Sequence, residues 1–181
     1  MTEQTTSPAL PELLRDGKLA GSWTLDAARS EIGLKSKSMW GLASVKGVFR
    51  DVTGSGTVSA AGDVAGAITV AAASVDTKNK KRDEHLRSAE FFDVARTPDI
   101  TFTAEQVTPA GDGVTVTGTL TVRDRTHPVS FAARVSVPGE AQVELDGEVQ
   151  VNRAEYGLTW SPLGLASLHN AITVHAVFTR Q

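Results

Sequence analysis

The 181-residue chain carries 18 Lys plus Arg against 21 Asp plus Glu, a formal net charge of -3, and has no cysteine. That balance argues against a nucleic-acid partner or an anionic membrane surface, and the missing thiols exclude disulfides and thiolate chemistry. The length suits one domain with a sizeable core, and 16 glycines beside many Val and Thr residues suit a β-rich chain with tight turns.

Residues 1–20 read as a flexible N-terminal extension. Leu10, Leu13 and Leu14 lie at helical spacing and predict one weak helical turn packed on the domain. Met1 to Pro11 show neither a basic n-region nor an apolar h-region, and no later run approaches the ~20 apolar residues of a spanning helix. The expectation is a cytoplasmic protein with no integral membrane segment, its domain proper covering residues 21–181.

From Gly21 onward the pattern has a period of two, the mark of strands with one dry face and one wet face. Trp23 and Leu25 open it, and Ile32, Leu34, Ser36 and Ser38 share the next inner face. Val45, Gly47 and Phe49 follow, and the broken parity at Val52 predicts a bulge near Asp51. Ala61-Gly62-Asp63 is a turn, after which Val64, Gly66, Ile68 and Val70 face inward. Arg82 to Asp93 then interrupts as the one charged, helix-favouring segment, ending in Phe91-Phe92. Ile100, Phe102 and Ala104 resume the alternation, and Gly111-Asp112-Gly113 predicts a hairpin. Val114 to Val122 alternates with threonines at 115, 117, 119 and 121, and Arg123-Asp124-Arg125 makes a charged turn. Val129, Phe131, Ala133 and Val135 return; Pro138-Gly139 turns; Val143, Leu145, Gly147, Val149 and Val151 form another long strand. After an irregular stretch, Ile172, Val174, Ala176 and Phe178 close the chain.

Roughly eight strands with hairpin links predict an all-β antiparallel barrel or sandwich, in which the last strand could pair with the first and leave no open edge. An eight-stranded barrel is just wide enough to be filled by side chains or to hold one ligand. Small inward residues such as Gly47, Gly66, Gly118 and Gly147 would leave volume, whereas Phe49, Phe102 and Phe131 could fill it. Both a hollow and a solid interior fit the pattern.

The motifs Arg82-Asp83-x-His85-Leu86, Phe91-Phe92-Asp93, Pro98-x-Ile100-x-Phe102, Gly118-x-Leu120-Thr121, Thr126-x-Pro128-Val129 and Asn152-Arg153-x-x-Tyr156-Gly157 occur in that order. With Trp23-x-Leu25-Asp26 and Val45-x-Gly47-x-Phe49, they resemble the YceI-like family of lipid- or polyisoprenoid-binding proteins. The resemblance implies an eight-stranded, antiparallel, lipocalin-like β-barrel with a short helix capping one end. It implies an apolar interior holding an isoprenoid or quinone-like chain, and leaves a homodimer open. Arg29-Ser30, Leu34, Thr97 and Arg123-Asp124-Arg125 depart from the family pattern near strand ends, which puts the ligand's head group in question.

The helical segment has two readings. It is a lid whose apolar face touches ligand, with Phe91 below and Arg82 or His85 near a polar head; or it is a structural cap. In the second, Asn79 or Thr77 caps the helix, Asp83 pairs with Arg87, and Arg82, Asp83 and His85 bind backbone and one another. The run Lys78, Lys80, Lys81, Arg82 fits a solvated helix entry or a phosphate site. His127, His169 and His175 lack metal-ligand spacing, and no nucleophile, phosphate-loop or paired-carboxylate motif is present. Trp40, Gly41, Trp160, Pro162, Leu163 and Gly164 could form an entry lip.

The expectation is therefore a non-enzymatic carrier or store for a long apolar lipid, with no cofactor and no metal. Leu34, Val70, Phe102, Leu120, Phe131, Leu145 and Val174 would line its cavity. A stress-response or protein-interaction module with a packed barrel is the alternative. A lipid-modifying enzyme would instead need a buried His or carboxylate at the cavity wall.

Overall fold

The computed structural model describes residues 9–38, 43–161 and 166–181. Trp40, Gly41, Pro162, Leu163 and Gly164, expected at an entry lip, lie outside them. The alternating runs become strands β1 (Gly21–Leu25), β2 (Glu31–Ser38), β3 (Ala43–Phe49), β4 (Val52–Val58), β5 (Val64–Ala71) and β6 (Val75–Asp76), then β7 (Asp99–Ala110), β8 (Gly113–Val122), β9 (Arg125–Gly139), β10 (Gln142–Asn152) and β11 (Ala166–Arg180). Two helices frame them, α1 (Leu10–Arg15) and α2 (Lys80–Arg87).

The ladders run β1-β4-β5-β7-β8-β9-β10-β11, all antiparallel, and β11 returns to β1 with Trp23 opposite Arg180 and Leu25 opposite Phe178. This is a closed eight-stranded antiparallel barrel. β2 and β3 prolong β1 and β4 along the same wall, β2 pairing with the first part of β11 and with β3. Closure removes the unpaired edge that a sheet of this size would otherwise present to other chains.

The parity break at Val52 is an interruption between β3 and β4, not the expected bulge. There the chain leaves the ladder, and Arg50 and Asp51 donate their N–H groups to Ser74 O and Ser74 Oγ, both at 3.1 Å. Register shifts fall instead between Ala104 and Gln106, between Gln142 and Glu144, and between Ala166 and Asn170. The β8–β9 turn is made by Arg123 and Asp124 at φ 50° and 65°, a two-residue hairpin of the kind that usually recruits glycine. Outward threonines meet across strands, Thr121 with Thr126 at 2.8 Å and Thr69 with Thr101 at 3.1 Å.

α2 begins and ends earlier than Arg82–Asp93. Asn79 accepts the Arg82 N–H at 3.0 Å as its N-cap, and the helix stops at Arg87, so Phe91 and Phe92 sit in the turn beyond. The expected Asp83–Arg87 pair does not form. Asp83 turns inward, 6% exposed, and accepts the Thr77 N–H at 3.0 Å and the Thr77 hydroxyl at 2.5 Å. Arg87 reaches the carbonyls of Ala73 and Val75. Each side chain ties the helix to the segment before it, a stronger use of a buried carboxylate than a solvated pair along one helix.

α1 closes the other end. Leu13, Leu14 and Leu19 are buried with Trp23, against Val58, Val64, Val143 and Phe178. Trp23 Nε1 donates to Leu19 O at 2.9 Å, and the Arg180 guanidinium lies 5.0 Å over the Trp23 ring. Among the described residues no helix is long and apolar enough to cross a membrane.

Candidate functional site

The barrel is hollow. A cavity of about 790 Å³ runs along its interior, and side chains from both helices and nearly every strand line it. β8, ten residues long, reaches ~33 Å along the strand and, at the ~40° tilt usual for barrel strands, ~25 Å along the axis. The space is therefore long and narrow.

The seven inward positions expected to form the wall all face this space: Leu34 from β2, Val70 from β5, Phe102 from β7, Leu120 from β8, Phe131 from β9, Leu145 from β10 and Val174 from β11. Phe102 and Phe131, on neighbouring parts of the wall, meet edge to face at 5.7 Å. Of the inward glycines, Gly66 lines the cavity, whereas the space beside Gly147 and Gly118 is taken up by neighbours. A Cβ on Gly147 would meet the Phe131 ring at 3.0 Å, and one on Gly118 would meet Thr103 O at 2.0 Å. These two admit a ring and a neighbouring strand and leave no void.

At the α2 end the lining becomes polar. Arg82 and His85 line the cavity here, as does Phe91. Arg82 donates from Nε to Thr77 Oγ1 at 2.8 Å and from Nη2 to Thr77 O at 2.9 Å, so it anchors the helix as well as facing the mouth. His85 Nε2 lies 2.8 Å from Glu90 Oε2, and its ring packs on Trp160 with centroids 4.1 Å apart. Lys37 and Lys81 complete the charged lining with Arg82 and Arg153. No Asp or Glu lines the cavity among the described residues. Arg29, Thr97, Arg123, Asp124 and Arg125, the departures expected to bear on a head group, are absent from that lining; Leu34 alone of them faces it.

Arg153 was not singled out from sequence as part of a site. It is 5% exposed, and its guanidinium donates to the carbonyls of Leu158, Trp160, Ser167 and Ala166. Its charge also lies 5.7 Å over the Phe91 ring. Burial pulls its pKa below the ordinary arginine value. These contacts lace the irregular segment after β10 to the start of β11. The signal available in sequence was an Arg following the apolar run of β10, at a position where the chain turns back over the barrel. Nearby, Tyr156 is 2% exposed and its hydroxyl has no hydrogen-bond partner among the described residues; burial pushes its pKa up to about 12.

The remaining histidines lie apart. His127 Nε2 approaches Glu155 O at 2.9 Å, and His175 pairs with Asp146 at 2.6 Å on the outer face. Among the described residues no group of three or more metal-ligating side chains is assembled.

Residues 23–179 match the family described as YceI-like domain. Protein YceI of Salmonella arizonae is 35% identical over 136 residues, 70% of this chain and 70% of that protein. The crystal structure of Burkholderia cenocepacia BcnA superposes with a TM-score of 0.77 at 23% identity, covering 84% of this chain and 98% of that one. A polyisoprenoid binding domain from Saccharophagus degradans, implicated in plant cell wall breakdown, superposes at 0.71 with 17% identity, covering 88% and 98%. The barrel fold is shared with both.

Proposed function

The chain belongs to the YceI-like family, and on that premise we propose that it is a non-enzymatic binding protein for a long-chain apolar lipid of the polyisoprenoid or isoprenoid-quinone type, held in the barrel for storage or transfer. The observation that carries this reading is the long cavity whose wall is mostly aliphatic and aromatic and turns polar only toward α2. An apolar chain entering it leaves water at ~25 cal/mol per Å² of buried surface, about 2.5 kcal/mol for each 100 Å², less the cost of ordering its bonds. The polar group of such a lipid would stay at the α2 mouth, beside Arg82, His85 and Lys81, where it keeps contact with water and with cations. Among the described residues the lining offers no carboxylate, its histidine, His85, is half-buried and paired with Glu90, and the buried Arg153 donates to four backbone carbonyls, so the side chains supply binding groups more readily than acid–base machinery. A polyisoprenoid binding domain among the structural neighbours supports the ligand class.

The test is organic extraction of the purified protein followed by mass spectrometry, with parallel binding of added polyprenyl alcohols and quinones. Co-purified lipid, or saturable binding at one site per chain, is expected. Detection of neither would overturn the proposal.

A further inference from the structure

We propose that α1 and the link behind it form the floor of the cavity and set the length of chain it accepts, an inference that rests on the lipid-binding reading above. Leu10, Leu14 and Leu19 line the same cavity as Leu120 and Phe102, yet all three precede the family-matched residues, which begin at Trp23. They sit at the opposite end from Arg82, His85 and Lys81. A lipid whose polar group stays among those cations points its tail at the leucines.

The seat for this floor is built into the barrel rim. The β4–β5 hairpin folds up to α1 through Gly62, at φ +94°, where a Cβ would meet Leu14 O at 2.9 Å; only glycine combines that conformation with that approach. Trp23 Nε1 holds Leu19 O, and Arg180 bonds Lys18 O. Leu10 packs near Val114, Val107 and Val135, where the strands of the ring end in hairpins. A helix of six residues has no stability of its own, so its position is fixed by these contacts and by the leucines it inserts. The floor is therefore adjustable by one or two side chains without altering the wall.

Full-length Leu14→Trp raises the floor, and full-length Leu10→Ala/Leu14→Ala lowers it. Binding is measured across all-trans polyprenyl alcohols from farnesol upward. In the unaltered protein, affinity should rise with each added isoprene unit and then level off or fall once the tail reaches α1. Leu14→Trp should move that break to a shorter alcohol, and the double variant should move it to a longer one. Affinity for the alcohols next to the break should change at least about tenfold, the scale of a few methylenes gained or lost from burial. Thermal unfolding confirms that each variant is folded; if the double variant is not, Leu14→Trp, which adds apolar contact, decides alone. A break unmoved in a folded, binding-competent variant overturns the floor and leaves the lipid reading standing. No alcohol bound by the unaltered protein overturns both.

Discussion

Leu120→Trp separates a hollow barrel from a packed one. Leu120 lies on β8 opposite His127 of β9 and Phe102 of β7, is 5% exposed, and points into the cavity. In a packed core the larger ring would force neighbours off their rotamers at a cost of about 1–3 kcal/mol. In a cavity of about 790 Å³ the indole has room, and filling apolar void restores lost contacts at about 1 kcal/mol per ~40 Å³. The expected change in stability therefore lies between neutral and about 1 kcal/mol in favour of the variant. Urea unfolding of delipidated protein measures it, with the m-value checked for constancy so that a shift in midpoint reads as stability. Lipid affinity should fall at the same time, since the ring occupies the chain's path. A loss of more than ~1 kcal/mol with unchanged lipid binding would refute the reasoning.

Three other changes probe the mouth. Asp83→Ala leaves the Thr77 N–H and hydroxyl without their acceptor and should cost about 2 kcal/mol by urea unfolding, with faster hydrogen exchange confined to α2 and the residues before it. Arg153→Met keeps the apolar stem but removes the donors to Leu158, Trp160, Ser167 and Ala166; a loss of about 2–3 kcal/mol is expected, and a loss under ~0.5 kcal/mol would show that those carbonyls find other partners. Tyr156→Phe deletes a buried hydroxyl with no partner among the described residues, so stability at neutral pH should hold or rise by up to about 1 kcal/mol. The Tyr156 pKa is raised from 10.0 to about 12 in the fold, so the buried neutral phenol contributes stability below pH 10 that is lost as pH climbs through that interval. The Phe variant should lack that alkaline loss, and identical pH profiles for the two proteins would count against it.

The strand faces were legible because a period of two assigns every side chain to a face without knowledge of its neighbours. Leu34, Val70, Phe102, Leu120, Phe131, Leu145 and Val174 could thus be placed inward from sequence, and the ordered motifs from Trp23 to Gly157 pointed to the family. Parity is silent about diameter, however. Whether inward side chains meet or leave a gap depends on how far apart opposite walls stand, and that distance is fixed by closure of β11 on β1 and by the tilt of every strand. The glycines illustrate the limit. Gly147 and Gly118 were correctly placed inside, yet they accommodate a ring and a backbone and leave no void.

The same limit governs the two ends. Local pattern predicted a helix after β6 and a helical turn near Leu10. It could not show that Asp83 would reach Thr77 in preference to Arg87, because Arg87 is the nearer partner along the helix and only the packed geometry turns Asp83 inward to Thr77. It could not show that Arg153 would hold together a segment up to 14 residues away, or that Leu10, Leu14 and Leu19 would become part of the cavity. By itself the sequence determined an alternating all-β chain, its turns and which residues face inward. The tertiary structure decided that the wall closes around space, which side chains shape its mouth and which leucines end it, since those depend on distances between segments remote in the chain.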